Sequence, residues 1–229
     1  EPIREHKGVI DKYIGDAVMA FWGPPFTSDT EHAALACKAA IDQHLRLVKF
    51  RQTLPDVLGF RKGLPDIYVR MGIATGDVTV GSIGSTSTKS YTVVGDTVNL
   101  ASRLEAANKQ YGTHIIISED TWKRARNEVE TRELDCIRVF GKSEAVRIFE
   151  LLGYKDGIDA TALELRDNFE KALGHYRKGE WERADASFTA CLSINPHDGP
   201  SQLFIARLKH LRERAPADAW TGVWDLTEK

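Results

Sequence analysis

The apolar and polar positions of this chain fall into short blocks with different periods. Residues 9–14 mix β-branched and aromatic side chains, and residues 17–22 are nearly all apolar. Gly15 and Asp16 lie between them, a pair suited to a tight turn because glycine tolerates positive φ. The pattern predicts a buried hairpin with Asp16 at its tip and Lys12 a few residues earlier. Prolines 24 and 25 end it. Ala33, Ala36, Ala40, Ile41, Leu45 and Leu47 then recur at helical spacing, predicting a helix over residues 30–54 and a loop over 54–65. A short helix over residues 1–7 is expected ahead of Gly8.

The period shortens again from residue 66. Tyr68, Arg70, Gly72 and Ala74 alternate with Val69, Met71 and Ile73. A β region over 66–83 follows, turning at Gly76-Asp77, with a flexible connection from Gly81 to Ser90. Residues 91–94 read as a strand, and Asp96 as the N-cap of a helix over 97–109. Leu100, Ala101, Leu104 and Ala107 form the apolar stripe of that helix. Asn99 and Arg103, four apart, share another face. A strand at 114–117, a short helix at 118–126 and strands at 129–138 and 145–152 follow. Strands and helices thus intermix with hairpins at both ends, which favours an α+β sandwich over a doubly wound sheet. Residues 153–160 read as a linker. Helices follow from Thr161, including one over 201–214, and Trp220 and Trp224 are expected to dock on an apolar surface.

The 31 basic and 33 acidic residues leave a net charge of −2, which gives no reason to expect a nucleic-acid partner. No apolar run reaches the length of a membrane span, and residue 1 onward is not a signal peptide. Cys37, Cys136 and Cys191 are scattered and odd in number. They read as reduced thiols in a cytoplasmic compartment. The chain opens on Glu1, so it is expected to be part of a longer protein.

Two stretches carry a resemblance. VIDKYIGDAVMAFW at 9–22 and SYTVVGDTVNLASRLE at 90–105 together resemble the catalytic core of a class III nucleotidyl cyclase, the family of adenylate and guanylate cyclases. The likeness covers residues 9–152 and implies a ferredoxin-like α+β core with extra elements. Residues 1–152 are then expected to form the catalytic domain without its first strand and helix. Residues 161–229 form a small all-α segment, in which the run from Phe169 through Gly179-Glu180-Trp181 to Pro196 resembles one tetratricopeptide repeat. One such repeat cannot bury a continuous core and must pack on something else.

The resemblance implies chemistry at named positions. The 3′-oxygen of a nucleoside triphosphate attacks the α-phosphorus and pyrophosphate leaves, with two magnesium or manganese ions as cofactors. Asp16 matches the second of two metal-bridging aspartates. The first is expected on a strand before Glu1, so residues 1–229 alone are expected to be inactive. Asn99 matches the residue that orients the ribose, and Arg103 the one that stabilises charge on the α-phosphate. Lys142, in a Gly-Lys-Ser turn that is not a P-loop, matches a lysine for the terminal phosphates. Arg70 matches an arginine near phosphates, and reads equally as a strand ion-pair residue. Taken alone, Asp16 fits a solvated turn aspartate as well as a metal ligand.

Lys12 and Thr92 match the two purine-selecting positions. Lysine donates to N1 of adenine, and the threonine oxygen accepts from its amino group. Guanylate cyclases use Glu and Cys-like residues there, so the pair points to ATP and to the bacterial type. The family assembles its sites across a homodimer, with two composite sites related by two-fold symmetry. The expected function is therefore an adenylate cyclase in signalling. The competing expectation is an inert cyclase-like dimerisation module whose helical tail recruits a protein partner.

Overall fold

The computed structural model describes residues 1–60, 67–85, 89–138, 144–213 and 220–225. Its centre is a five-stranded sheet built from β3 (Met71–Ile73), β6 (Ile115–Ser118), β7 (Val129–Arg138), β8 (Val146–Tyr154) and β9 (Trp224–Asp225), in the order β3-β6-β8-β7-β9. The outer pairs β3–β6 and β7–β9 are parallel, and β8 is antiparallel to both neighbours. Among the described residues, two separate hairpins complete the strands: β1 (Val9–Ile14) with β2 (Ala17–Phe21), and β4 (Thr79–Gly84) with β5 (Lys89–Val94).

Strand alternation divides the central sheet into two apolar faces. Ile115, Ile117, Phe149 and Leu151 face one way, under α2 (His32–Leu58) and α4 (Glu119–Ala125). Ile116, Leu134, Ile137 and Ile148 face the other way. There they meet α3 (Asp96–Tyr111) together with α5 (Ala160–Arg177), α6 (Trp181–Ile194) and α7 (Gly199–Glu213). The C-terminal helices therefore share a core with α3, the helix that carries Asn99 and Arg103. Phe169, Phe188 and Phe204 sit at its centre, with ring centroids 4.9–5.7 Å apart. The ring of Trp220 packs on Tyr176 and Trp181, and Trp224 lies on Arg207, 4.2 Å from its guanidinium carbon. Both tail tryptophans dock as the sequence leads one to expect.

Buried charge locks this face. Arg132 on β7 donates to Glu150 on β8 and, at 2.8 Å, to Asp198, which also accepts from the backbone of Ser201 at the start of α7. Asp135 on β7 accepts from Tyr111 of α3 and from Arg207 of α7, both at 2.6 Å. Burial pushes the Asp135 carboxyl up, against the opposing pull of Arg207, and burial likewise pushes the Tyr111 hydroxyl up.

Several element boundaries differ from the sequence reading. The short N-terminal helix, α1, is confined to Pro2–Glu5. Helix α2 continues through Pro55 to Leu58, where the reading had a loop, and Gly59 caps it at φ 74°. Proline keeps a helical φ, and the missing hydrogen bond is cheap on this solvent-exposed last turn. Gly95, not Asp96, is the N-cap of α3, and Asp96 lies in the first turn, where the dipole favours an acid. The stretch from Gly81 to Gly84 is strand, paired to β5 through Gly84 and Lys89, and not a connection. The 66–83 region is broken into the three-residue β3 and β4. No helix among the described residues is long and apolar enough to cross a membrane.

Candidate active site

The β1–β2 hairpin closes on Ile14 and Ala17, with Gly15 at φ 62°. Only the first of the two turn residues needs positive φ, the pattern of a type II′ turn. The hairpin is not buried as the apolar pattern had led us to expect. Tyr13 is 71% exposed, Ile14 58%, and Asp16 is open to solvent. Asp16 therefore sits in solvent at the hairpin tip. Its carboxylate has no ion pair or hydrogen bond among the described residues.

Register slips between Ile10 and Lys12, which leaves Asp11 as the extra residue of a β-bulge. Bulges re-aim side chains and are enriched beside active sites. The Asp11 side chain is 1% exposed and its Oδ2 lies 3.5 Å from Lys12 Nζ. Thr92 on β5, 7% exposed, donates its hydroxyl to the same Oδ2 at 2.8 Å. Lys12 and Thr92, far apart in sequence, are thus brought together through Asp11. The Lys12 side chain remains 43% exposed, with its ammonium reachable.

Asn99 and Arg103 lie one turn apart on α3, Asn99 exposed and Arg103 half-buried. Neither side chain has a hydrogen bond or ion pair among the described residues. Other arginines nearby are committed: Arg132 to buried Asp198, Arg207 to buried Asp135, and Arg70 to Glu105 at 2.9 Å. Arg70 also lies over the Tyr68 ring, and its hydrogen bond to Glu105 raises its pKa. Its observed partner is an acid on α3, the ion-pair alternative of the sequence reading. Lys142 lies outside the described residues.

Helix α3 is seated by Gly72 on β3, where a β-carbon would sit 2.1 Å from the Ala101 carbonyl oxygen. Asn108 adds a hydrogen bond to the Met71 carbonyl at 2.9 Å. Sequence reasoning missed both Asp11 and Gly72. An acid beside Lys12 inside an apolar strand was the available signal for the first. For the second, a glycine amid β-branched strand residues signals a close backbone approach.

The donor set fits a hard divalent cation at one position. Asp16 offers uncommitted carboxylate oxygens at a turn, the ligand type magnesium and manganese prefer. Among the described residues there is no group of three or more His, Cys, Asp or Glu that could form a complete cage. Magnesium ordinarily takes one or two carboxylates and completes its shell with water and substrate phosphates.

Residues 3–153 match the family described as the adenylate and guanylate cyclase catalytic domain. Adenylate cyclase 1 of Rhizobium meliloti is 37% identical over 161 residues, covering 70% of this chain and 23% of the relative. The adenylate cyclase of Anabaena cylindrica is 40% identical over 152 residues, covering 65% of this chain and 29% of the relative. The chain thus spans about a quarter of the length of these relatives. The crystal structure of the adenylyl cyclase CyaB from P. aeruginosa superposes with a TM-score of 0.59 at 31% identity, covering 69% of this chain and 78% of that one. The guanylyl cyclase Cya2 gives 0.55 at the same identity, covering 69% of this chain and 76% of that one. Similar folds thus serve both purines, and base choice must be argued from side chains. With its α+β sheet and these similarities, the chain belongs to the class III adenylate and guanylate cyclase catalytic domains.

Proposed function

We infer that this chain is the catalytic part of an adenylate cyclase that converts ATP to 3′,5′-cyclic AMP and pyrophosphate. The observation that carries the reading is the Lys12–Asp11–Thr92 cluster, a donor and an acceptor set side by side where β1 of one hairpin meets β5 of the other. Lys12 donates to N1 of adenine and Thr92 accepts from its amino group. Asn99 orients the ribose so that its 3′-oxygen faces the α-phosphorus. Arg103, with no carboxylate partner among the described residues, stabilises the charge that develops on the α-phosphate. Lys142 meets the terminal phosphates. Arg70 does so only by leaving Glu105. Asp16 would hold the divalent ions, two of magnesium or manganese, which supply activation of the attacking oxygen and charge neutralisation on the leaving pyrophosphate.

The working unit is a homodimer in which Lys12 and Asp16 of one copy face Asn99 and Arg103 of the other. The exposed apolar side chains on the two hairpins, Tyr13, Ile14, Val18, Tyr91 and Val94, are surface that a second copy would cover. The three free thiols suit the cytoplasm, where ATP is abundant. The competing reading, an inert dimerisation platform with a partner-recruiting tail, leaves the uncommitted Asp16, Asn99 and Arg103 without a use. The domain limits we propose, 1–152 for the catalytic domain and 161–229 for the helical segment, describe sequence units that share one core.

Complementation tests this. In the natural protein that carries the chain, Asp16→Asn and Arg103→Ala should each abolish cyclic AMP production. Mixed, they should regain part of it, because one composite site of the heterodimer is intact. Mixed dimers that form and stay inactive would show that each site is built within one copy.

A further inference from the structure

Thr92 is ambivalent as a base reader, because a hydroxyl both donates and accepts. A rotating hydroxyl could accept from the amino group of adenine or donate to the carbonyl of guanine. The structure removes that freedom. The Thr92 hydroxyl hydrogen points at Asp11 Oδ2, 2.8 Å away, and both groups are withdrawn from solvent, the Asp11 side chain 1% exposed and Thr92 7% exposed. A carboxylate only accepts, so the hydrogen stays with Asp11 and only lone pairs remain on the outward side of Thr92.

Two further observations set Asp11 apart from a strand acid with a structural role alone. It is the unpaired residue of a β-bulge. Its second oxygen, Oδ1, is buried with no hydrogen-bond partner among the described residues. A buried carboxylate oxygen left unpaired calls for an explanation, and a functional role is one. The same carboxylate lies 3.5 Å from Lys12 Nζ and holds the ammonium near the hydroxyl it orients.

We propose that Asp11 is a specificity-determining positioning residue of the nucleotide site: it fixes Thr92 as an acceptor and Lys12 as its neighbouring donor, and so selects a purine with an amino group at C6 and an acceptor at N1. Asp11 itself need not touch the base. The inference rests on the adenylate cyclase reading and deepens it.

The test is the ratio of kcat/KM for ATP to that for GTP in the natural protein that carries this chain. Asp11→Asn is nearly isosteric, and its amide can donate to Thr92, which frees the hydroxyl hydrogen to turn outward. Asp11→Ala removes the partner altogether. Both should lower the ATP:GTP ratio by about tenfold or more, the effect of reversing one buried hydrogen bond, with the melting temperature reporting whether the fold is kept. In a Thr92→Val background, where no hydroxyl exists, Asp11→Asn should lower the ratio much less than it does beside Thr92, because only the hold on Lys12 is then lost. A purely structural Asp11 would slow both nucleotides equally and leave the ratio unmoved. A ratio within twofold of wild type in folded Asp11→Asn overturns the inference while leaving the cyclase reading intact. So does an equal fall with and without the Thr92 hydroxyl. A wild type that cyclises neither nucleotide removes the reading on which the inference rests.

Discussion

Gly72 of β3 lies directly beneath Ala101 of α3, so close that a β-carbon on Gly72 would stand 2.1 Å from the Ala101 carbonyl oxygen and 2.3 Å from the Glu105 nitrogen. These are backbone atoms of the helix, which cannot swing aside as a side chain can. The contact sets the height of α3 above the sheet, and with it the positions of Asn99 and Arg103.

Gly72→Ala should therefore push α3 outward. Overpacking of this kind costs about 1–3 kcal/mol. A shift on the order of 1 Å at catalytic groups lowers turnover by about a hundredfold. Cyclase assays alongside chemical denaturation check it: kcat should fall well beyond what the stability loss accounts for. An alanine variant with wild-type turnover would show that the helix has room to give.

The buried pair between Asp135 and Arg207 should behave as a lock between β7, α3 and α7. Asp135→Ala leaves Arg207 buried without its carboxylate, and breaking such a pair by removing one partner costs about 3–5 kcal/mol. Urea denaturation followed by tryptophan fluorescence reads the loss, since Trp220 and Trp224 report on this region. A change below about 1 kcal/mol would mean that the pair is offset by its own desolvation.

Much of this architecture was legible in the chain. The Gly15-Asp16 turn and the Leu100/Leu104/Ala107 stripe appear where residue type and period put them, and a helix pair spans Phe169 to Ile194, where the resemblance to a tetratricopeptide repeat leads one to expect it. Three things were not legible, each for a physical reason. Apolar content in residues 9–22 gave no means of telling a core hairpin from one left bare at an edge, so the exposure of Tyr13 and Ile14 was missed. Pro55 marks a helix end by propensity, yet proline costs one hydrogen bond and not the helical φ. The bulge at Asp11 depends on cross-strand register, which no single strand encodes. The site motifs were readable as residue types. Their connection through Asp11 was visible only once β1 and β5 were placed side by side.

His44 on α2 gives a pH prediction. Burial lowers its pKa, reinforced by His114 and Arg51, and its Nδ1 is buried without a partner among the described residues. A histidine with a depressed folded pKa is neutral in the folded state and takes up a proton more readily when unfolded. Its contribution to stability is therefore present above the unfolded value near 6.5 and is lost as pH falls from there toward the folded pKa. Melting temperature should drop as pH falls below about 6.5, and His44→Gln should flatten that drop. An unchanged slope in the variant would assign the acid sensitivity to other groups.

The central claim is that Lys12 and Thr92, set by Asp11, read adenine. Its most direct measurement is kcat/KM for ATP and for GTP, in the wild-type protein and in the Lys12→Glu, Thr92→Cys double variant. Guanine would set a donor against Lys12 and a carbonyl against the Thr92 lone pairs. Each unpaired buried group costs about 1–3 kcal/mol, so two predict a preference for ATP on the order of a hundredfold. The double variant should lose most of its ATP turnover and gain relative use of GTP, short of full conversion because the surrounding pocket is unchanged. A wild-type preference that the double substitution leaves within a factor of about two would contradict the account, because these two side chains would then not be the ones that read the base.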